Sequence, residues 1–253
     1  MGVFFLAFYN RDGKKLKLKG KKRKFIGNGM CGEVYLYDEF VLKKYFEDTS
    51  MFSRLKAKEF DILKDIDSPN FIKLYEIYQK LTIRELEIYN DTKLGFSVDA
   101  YTSRYYKGDN TNTLTKPVEY LLQNIRELDK LFDTFSDNSI IVADMKYGNV
   151  IINENHIILV DPDTFNYVGD TYNIDTLKEL NKEQLINLIK SILTCQVTSV
   201  EEISDWKKVR GIEDNIEKEI SNISIEDDPD IAYKFSKKLR NVKRPIDYFY
   251  RDN

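Results

Sequence analysis

A single histidine, two cysteines and one tryptophan among 253 residues exclude several kinds of chemistry at the outset. His156 alone builds neither a nucleophilic triad nor a histidine metal cluster, and its place in a hairpin suits a surface or half-buried role. Cys31 and Cys195 lie far apart, without metal-ligand spacing or a disulfide framework, which fits a reducing, cytoplasmic compartment. No apolar run approaches the roughly 18 residues needed to cross a membrane. The opening MGVFFLAFY lacks a basic leader and a small-residue cleavage site, and Leu6 stands where a myristoylation motif wants Ser or Thr. That segment is expected to fold as a strand. Charge lacks bias as well, with 39 Lys and Arg against 42 Asp and Glu, so there is no global signature of a nucleic-acid or membrane binder. Chemistry therefore falls to carboxylates, lysines and a metal, on a chain long enough for one large domain or two small lobes.

The most informative stretch is 140–165, IIVADMKYGNVIINENHIILVDPDTF. Asp144, Asn149 and Asp161 interrupt an otherwise apolar run, with Lys146 between the first two. Strand-like segments over 140–143, 150–153 and 157–160, with a turn at Glu154 and Asn155, read as a polar loop opening into a hairpin. An ordinary buried hairpin would accept Asp or Asn at many loop positions. A carboxylate, an amide and a second carboxylate on one rigid frame instead make an oxygen-rich site for a hard cation such as Mg2+.

Earlier in the chain, Gly27, Gly29, Gly32 and Val34 fit the pattern G-x-G-x-x-G-x-V. Dinucleotide-binding folds share the glycine spacing, but there the glycines open a helix. Here the residues that follow alternate, so the glycines sit in a strand-to-strand turn, where their missing side chains let backbone N–H groups approach phosphate. Phe40-Val41-Leu42-Lys43 is a strand whose parity puts Val41 and Lys43 on one face, with Lys44 on the other. Residues 50–66 carry a mostly helical apolar stripe of Phe52, Leu55, Phe60, Leu63 and Ile66, with Ser50 as a helix cap. Between Lys14 and Lys24, eight of eleven residues are basic, interleaved with Leu16 and Leu18. That alternation predicts a strand with a solvated cationic face, which is also where an acidic partner would dock.

Taken in order, these segments resemble the catalytic core of protein kinases of the serine/threonine type, over roughly residues 20–165. The resemblance implies an α+β, bilobal fold: a β-rich N-lobe over 1–108 with one regulatory helix, and a small, mainly helical C-lobe over 109–253. It implies ATP and Mg2+ as cofactors and transfer of the γ-phosphoryl group to a hydroxyl. By position, Asp144 would orient the acceptor hydroxyl and take its proton, and Lys146 would neutralise the moving phosphoryl group. Asn149 and Asp161 would hold magnesium. Lys43, paired with Glu59, would place the α- and β-phosphates under the Gly27, Gly29, Gly32 and Val34 loop, with Val41 near the adenine. The alternating segment from Leu94 would be the strand into the hinge, with Val98 behind the pocket and Asp99, Ala100 and Tyr101 in the hinge itself.

The sequence departs from that pattern in places. Val142 and Ala143 precede Asp144 where His-Arg is usual, Asp161-Pro162-Asp163 replaces Asp-Phe-Gly, and no A-P-E follows the short segment after Asp161. Asp163 is read as a turn residue or a second metal carboxylate, with the turn favoured. A small-molecule kinase of the aminoglycoside or choline type is the alternative, set against by Val142 and Lys146. A pseudokinase acting as a nucleotide-binding interaction module is another, and nucleic-acid binding through Lys14–Lys24 a fourth. Residues 79–93 are ambiguous between helix and strand. Helices are expected from Pro117 to Phe135, from Ile174 onward, and over 201–222 and 228–239, with the acidic run at 226–228 as a solvated loop.

Overall fold

The computed structural model describes residues 6–18, 21–38, 40–50, 53–93, 95–108 and 118–198. The expected helices at 201–222 and 228–239 lie outside the described residues. Contacts divide the chain into two compact units. Unit 1 comprises Met1–Asp67, Ile72–Tyr106 and Pro162–Phe165; unit 2 comprises Ser68–Phe71, Lys107–Asp161 and the chain from Asn166.

Unit 1 is built on a six-stranded antiparallel sheet. Its strands are β1 (Ala7–Tyr9), β2 (Arg23–Asn28), β3 (Gly32–Tyr37), β4 (Phe40–Tyr45), β5 (Leu74–Leu81) and β6 (Ala100–Arg104), in the order β1-β5-β6-β4-β3-β2. One sheet face buries Tyr35, Tyr37, Leu42 and Ala100, and Leu16 and Leu18 pack against that cluster. This is why leucines punctuate the basic run: they cover apolar sheet surface while Lys14, Lys15 and Lys17 stay in water. Within the run, Lys15 bridges Tyr9 and Leu16 N bonds Phe8 O, and Arg23 and Lys24 open β2.

Helix α1 spans Ala57–Asp65 and packs on β5, burying Glu59, Phe60 and Leu63. It is shorter than the expected 50–66 helix, and Ser50 does not cap it. The Arg54 guanidinium donates to the carbonyls of Thr49, Phe46 and Glu47, and Leu55 N donates to the Tyr45 hydroxyl. Those bonds commit the backbone before Ala57 to a non-helical path. The ambiguous stretch divides at Thr82, after which α2 (Ile83–Thr92) begins. A capping box explains the switch: Thr82 and Glu85 each accept from the other's backbone N–H. Strand β6 starts at Ala100 rather than Leu94, because Gly95 takes φ +76° and Phe96 turns into a cluster with Tyr9, Leu81 and Tyr89.

Unit 2 contains α3 (Val118–Asp137), β7 (Ile140–Ile141), β8 (Val150–Ile152), β9 (Ile157–Leu159), β10 (Asn166–Tyr167) and α4 (Ile174–Thr198). Leu121, Ile125, Leu128, Leu131, Phe132 and Phe135 form the buried stripe of α3, which packs on α4. Strand β8 pairs with β9, and β7 with β10. Asn124 ties the hairpin to α3: its Oδ1 accepts from Ile157 N at 2.7 Å and from Asn70 Nδ2 at 2.8 Å.

Candidate active site

In unit 1 Gly29 lies in the tight turn between β2 and β3, with Gly27 on β2 and Gly32 on β3, and the turn is closed by a 3.0 Å bond from Gly29 N to Gly32 O. Only Gly32 is forced by packing within the fold. A Cβ there would lie 2.1 Å from Lys44 O, whereas one on Gly27 or Gly29 meets nothing within 4 Å. Packing therefore leaves the latter two open to selection by whatever approaches the loop.

Strand register pairs Val34 with both Gly27 and Lys43, Leu36 with Val41, and Lys43 with Tyr101. Directly opposed residues share a sheet face, so Val34, Val41, Lys43, Tyr45 and Tyr101 project to one side. Lys43 is buried at 7% exposure, and its Nζ lies 2.7 Å from Asp163 Oδ2. Tyr45 donates its hydroxyl to the other oxygen, Asp163 Oδ1, at 2.6 Å. Burial first, then the adjacent Asp163 charge, pushes the Tyr45 phenol well above its usual range, which keeps it a donor. Asp163 sits in a 3-10 turn, Pro162–Thr164, and is itself buried at 4% exposure. The turn residue favoured from sequence is thus in a turn and is also a buried ion-pair partner. Glu59 is buried in α1, with its Oε1 3.6 Å from Lys56 Nζ.

Asp99 lies in the bend directly before β6, and Tyr101 lies within β6. Tyr101 is 3% exposed between Lys43 and Ile77. The Asp99 carboxylate accepts from Arg54 at 2.7 Å and from Lys80 N at 2.8 Å, while its backbone bonds Tyr78 O and Tyr45 N. The late start of β6 shifts the strand's exit toward Tyr105 and Tyr106, where unit 1 ends.

In unit 2, Asn149 links the backbone at Asp144 to the strand that ends before Asp161. Its Nδ2 donates to Asp144 O at 2.9 Å, and its own carbonyl accepts from Val160 N at 2.8 Å, directly before Asp161. Asp144 and Asp161 adopt φ +54° and +64°, a left-handed conformation that costs a non-glycine residue about 1–2 kcal/mol. Strain of this kind persists where surrounding bonds fix it, and it concentrates at functional sites. Lys146 Nζ lies 2.7 Å from Asp144 Oδ2, both side chains half exposed. Asn181, from α4, is fully buried and escaped the sequence reading. Its Oδ1 accepts from Val142 N, and its Nδ2 donates to Ile140 O and Ser136 Oγ. That capture of Val142 N ends β7 after Ile141 and steers the chain toward Asp144.

On the opposite face of the unit 1 sheet, Lys14, Lys15, Lys17 and Lys21 rim a basin of about 980 Å³ floored by Phe40 and Tyr78. Lys21 Nζ stands 5.0 Å over the Phe40 ring.

The fold is similar to that of the kinase domain of PknI from Mycobacterium tuberculosis, with a TM-score of 0.56 over 89% of this chain and 96% of that one, at 13% identity. No family model matches the chain, and no curated protein matches it. The chain therefore has a protein kinase-like α+β fold.

Proposed function

We propose that the protein is an ATP- and Mg-dependent phosphotransferase that moves the γ-phosphoryl group to a hydroxyl, with Ser or Thr side chains of proteins as acceptors. The observation that carries this reading is the position of Asn149, bonded through its side chain to Asp144 and through its backbone to the residue before Asp161. In this reading Asp144 receives the acceptor's proton, and Lys146 neutralises charge on the group in flight. Lys43 orients the α- and β-phosphates, and Gly27, Gly29 and Val34 cover them, with Val41 beside the base. Phosphoryl transfer asks for little covalent chemistry, so placement and charge neutralisation account for most of the rate.

The donor set suits magnesium. Asn149 commits its amide nitrogen to Asp144 O, which leaves its amide oxygen as the ligand-type atom. Among the described residues no three His, Cys, Asp or Glu side chains gather as a metal-binding group. Magnesium needs no such cage, since it is held by one or two protein oxygens together with phosphates and water. Asn149 and Asp161 would hold it, and it would supply charge neutralisation at the phosphates. The basin rimmed by Lys14, Lys15, Lys17 and Lys21 is where an acidic partner would dock.

Calorimetric titration with ATP, with and without Mg2+, tests the reading. Binding that Mg2+ strengthens in the wild type but not in Asp161→Asn is expected. Absence of ATP binding under both conditions would refute it.

A further inference from the structure

We propose that Asp163 is the positioning residue for Lys43, and that the approach to α1 acts on Lys43 through Tyr45 and Asp163. This rests on the phosphotransferase reading of Lys43 and deepens it.

A buried ammonium is costly unless it is paired and hydrogen-bonded. Lys43 is ion-paired at 2.7 Å with Asp163 Oδ2, both side chains below 10% exposed. Asp163 uses each oxygen for a different partner, Oδ2 for Lys43 and Oδ1 for the Tyr45 hydroxyl at 2.6 Å. A carboxylate held at both oxygens has little freedom to rotate, so it fixes the direction of the lysine as well as its charge. The backbone under it is equally constrained. Pro162 locks φ at the start of the turn, Phe165 N donates to Pro162 O, and the Phe165 ring is buried at 2% exposure.

Tyr45 extends the chain of contacts. It lies two residues beyond Lys43 on the same sheet face, and its oxygen accepts from Leu55 N at 3.0 Å. Leu55 is fully buried two residues ahead of α1. The path Leu55 to Tyr45 to Asp163 to Lys43 is therefore continuous, and each link is hydrogen-bonded or ionic. It joins the segment before α1 to the lysine. The replacement of Asp-Phe-Gly by Asp-Pro-Asp thus has a consequence: its third residue carries a carboxylate to Lys43.

The test compares Asp163→Asn, Tyr45→Phe and Glu59→Gln in the full chain. Affinities for ATP and for adenosine, which lacks phosphates, are measured together with the rate at which an amine-acylating reagent labels Lys43 relative to Lys44. Asp163→Asn is expected to weaken ATP binding roughly tenfold or more, the scale of one charge-assisted contact, while adenosine binding holds. Tyr45→Phe is expected to show a smaller loss of the same kind, and Glu59→Gln to lose less than Asp163→Asn. Lys43 labelling is expected to accelerate in Asp163→Asn without change at Lys44. A Glu59→Gln loss exceeding that of Asp163→Asn, or unchanged Lys43 labelling in Asp163→Asn, would overturn the proposal. If the wild type binds no nucleotide, the phosphotransferase reading fails on its own, and the labelling ratio still decides whether Asp163 holds Lys43.

Discussion

Asn181 Oδ1 accepts from Val142 N at 2.9 Å, two residues ahead of Asp144. Its amide nitrogen also donates to Ile140 O and Ser136 Oγ, so one buried side chain fixes both ends of the segment leading to the loop. Asn181→Ala strands these buried groups, each worth about 1–3 kcal/mol when left unpaired. Denaturant unfolding is expected to show a loss on the order of 2 kcal/mol or more. A loss within about 0.5 kcal/mol, the range of a neutral surface change, would mean that Asn181 does not hold the segment.

The glycines of the β2–β3 turn separate into two kinds. Gly32→Ala drives a Cβ into Lys44 O and is expected to lower Tm through displacement of β4. Gly29→Ala meets no neighbour and is expected to keep Tm while weakening ATP binding, because the loop then approaches phosphate less closely. Thermal melts paired with ATP titrations check both. Equal loss of Tm in the two variants would contradict the distinction.

Alkaline pH is expected to destabilise the fold through phenols that are buried or half-buried. Burial pushes Tyr120 up to about 12, against about 10 in an unfolded chain. Between these values the folded state keeps a proton that the unfolded state has lost. The contribution is therefore complete below pH 10 or so and fades as pH rises toward 12. Tyr45 acts in the same direction. Urea midpoints followed from about pH 8 to about 12 are expected to fall above 10, and Tyr120→Phe is expected to shallow the fall. An identical slope in the variant would contradict this assignment.

Much of the site was legible because it depends on local pattern. Glycine spacing followed by alternation located the turn, strand parity put Val41 and Lys43 on one face, and the polar interruptions of 140–165 marked the loop and hairpin. What stayed hidden depends on contacts distant in sequence. Tyr45 and Asp163 are separated by 118 positions, and nothing in Asp-Pro-Asp indicates that its last carboxylate turns inward. Asn181 lies in a helix whose apolar periodicity explains its neighbours but gives a buried amide no visible purpose. Alternation beginning at Leu94 signals extended chain without showing where ladder bonding starts, so the onset of β6 at Ala100 was not visible. The Thr82-x-x-Glu85 signature was present and would have resolved the ambiguous stretch.

The most direct measurement is transfer of labelled γ-phosphate from Mg-ATP to the protein itself and to generic protein acceptors, with Asp144→Ala and Asp161→Ala run in parallel. The phosphotransferase account predicts label in the wild type and none in either variant, with both variants retaining the wild-type unfolding profile. Label that persists in both variants, or a wild type that binds Mg-ATP yet transfers nothing to protein or small hydroxyl acceptors, would contradict it.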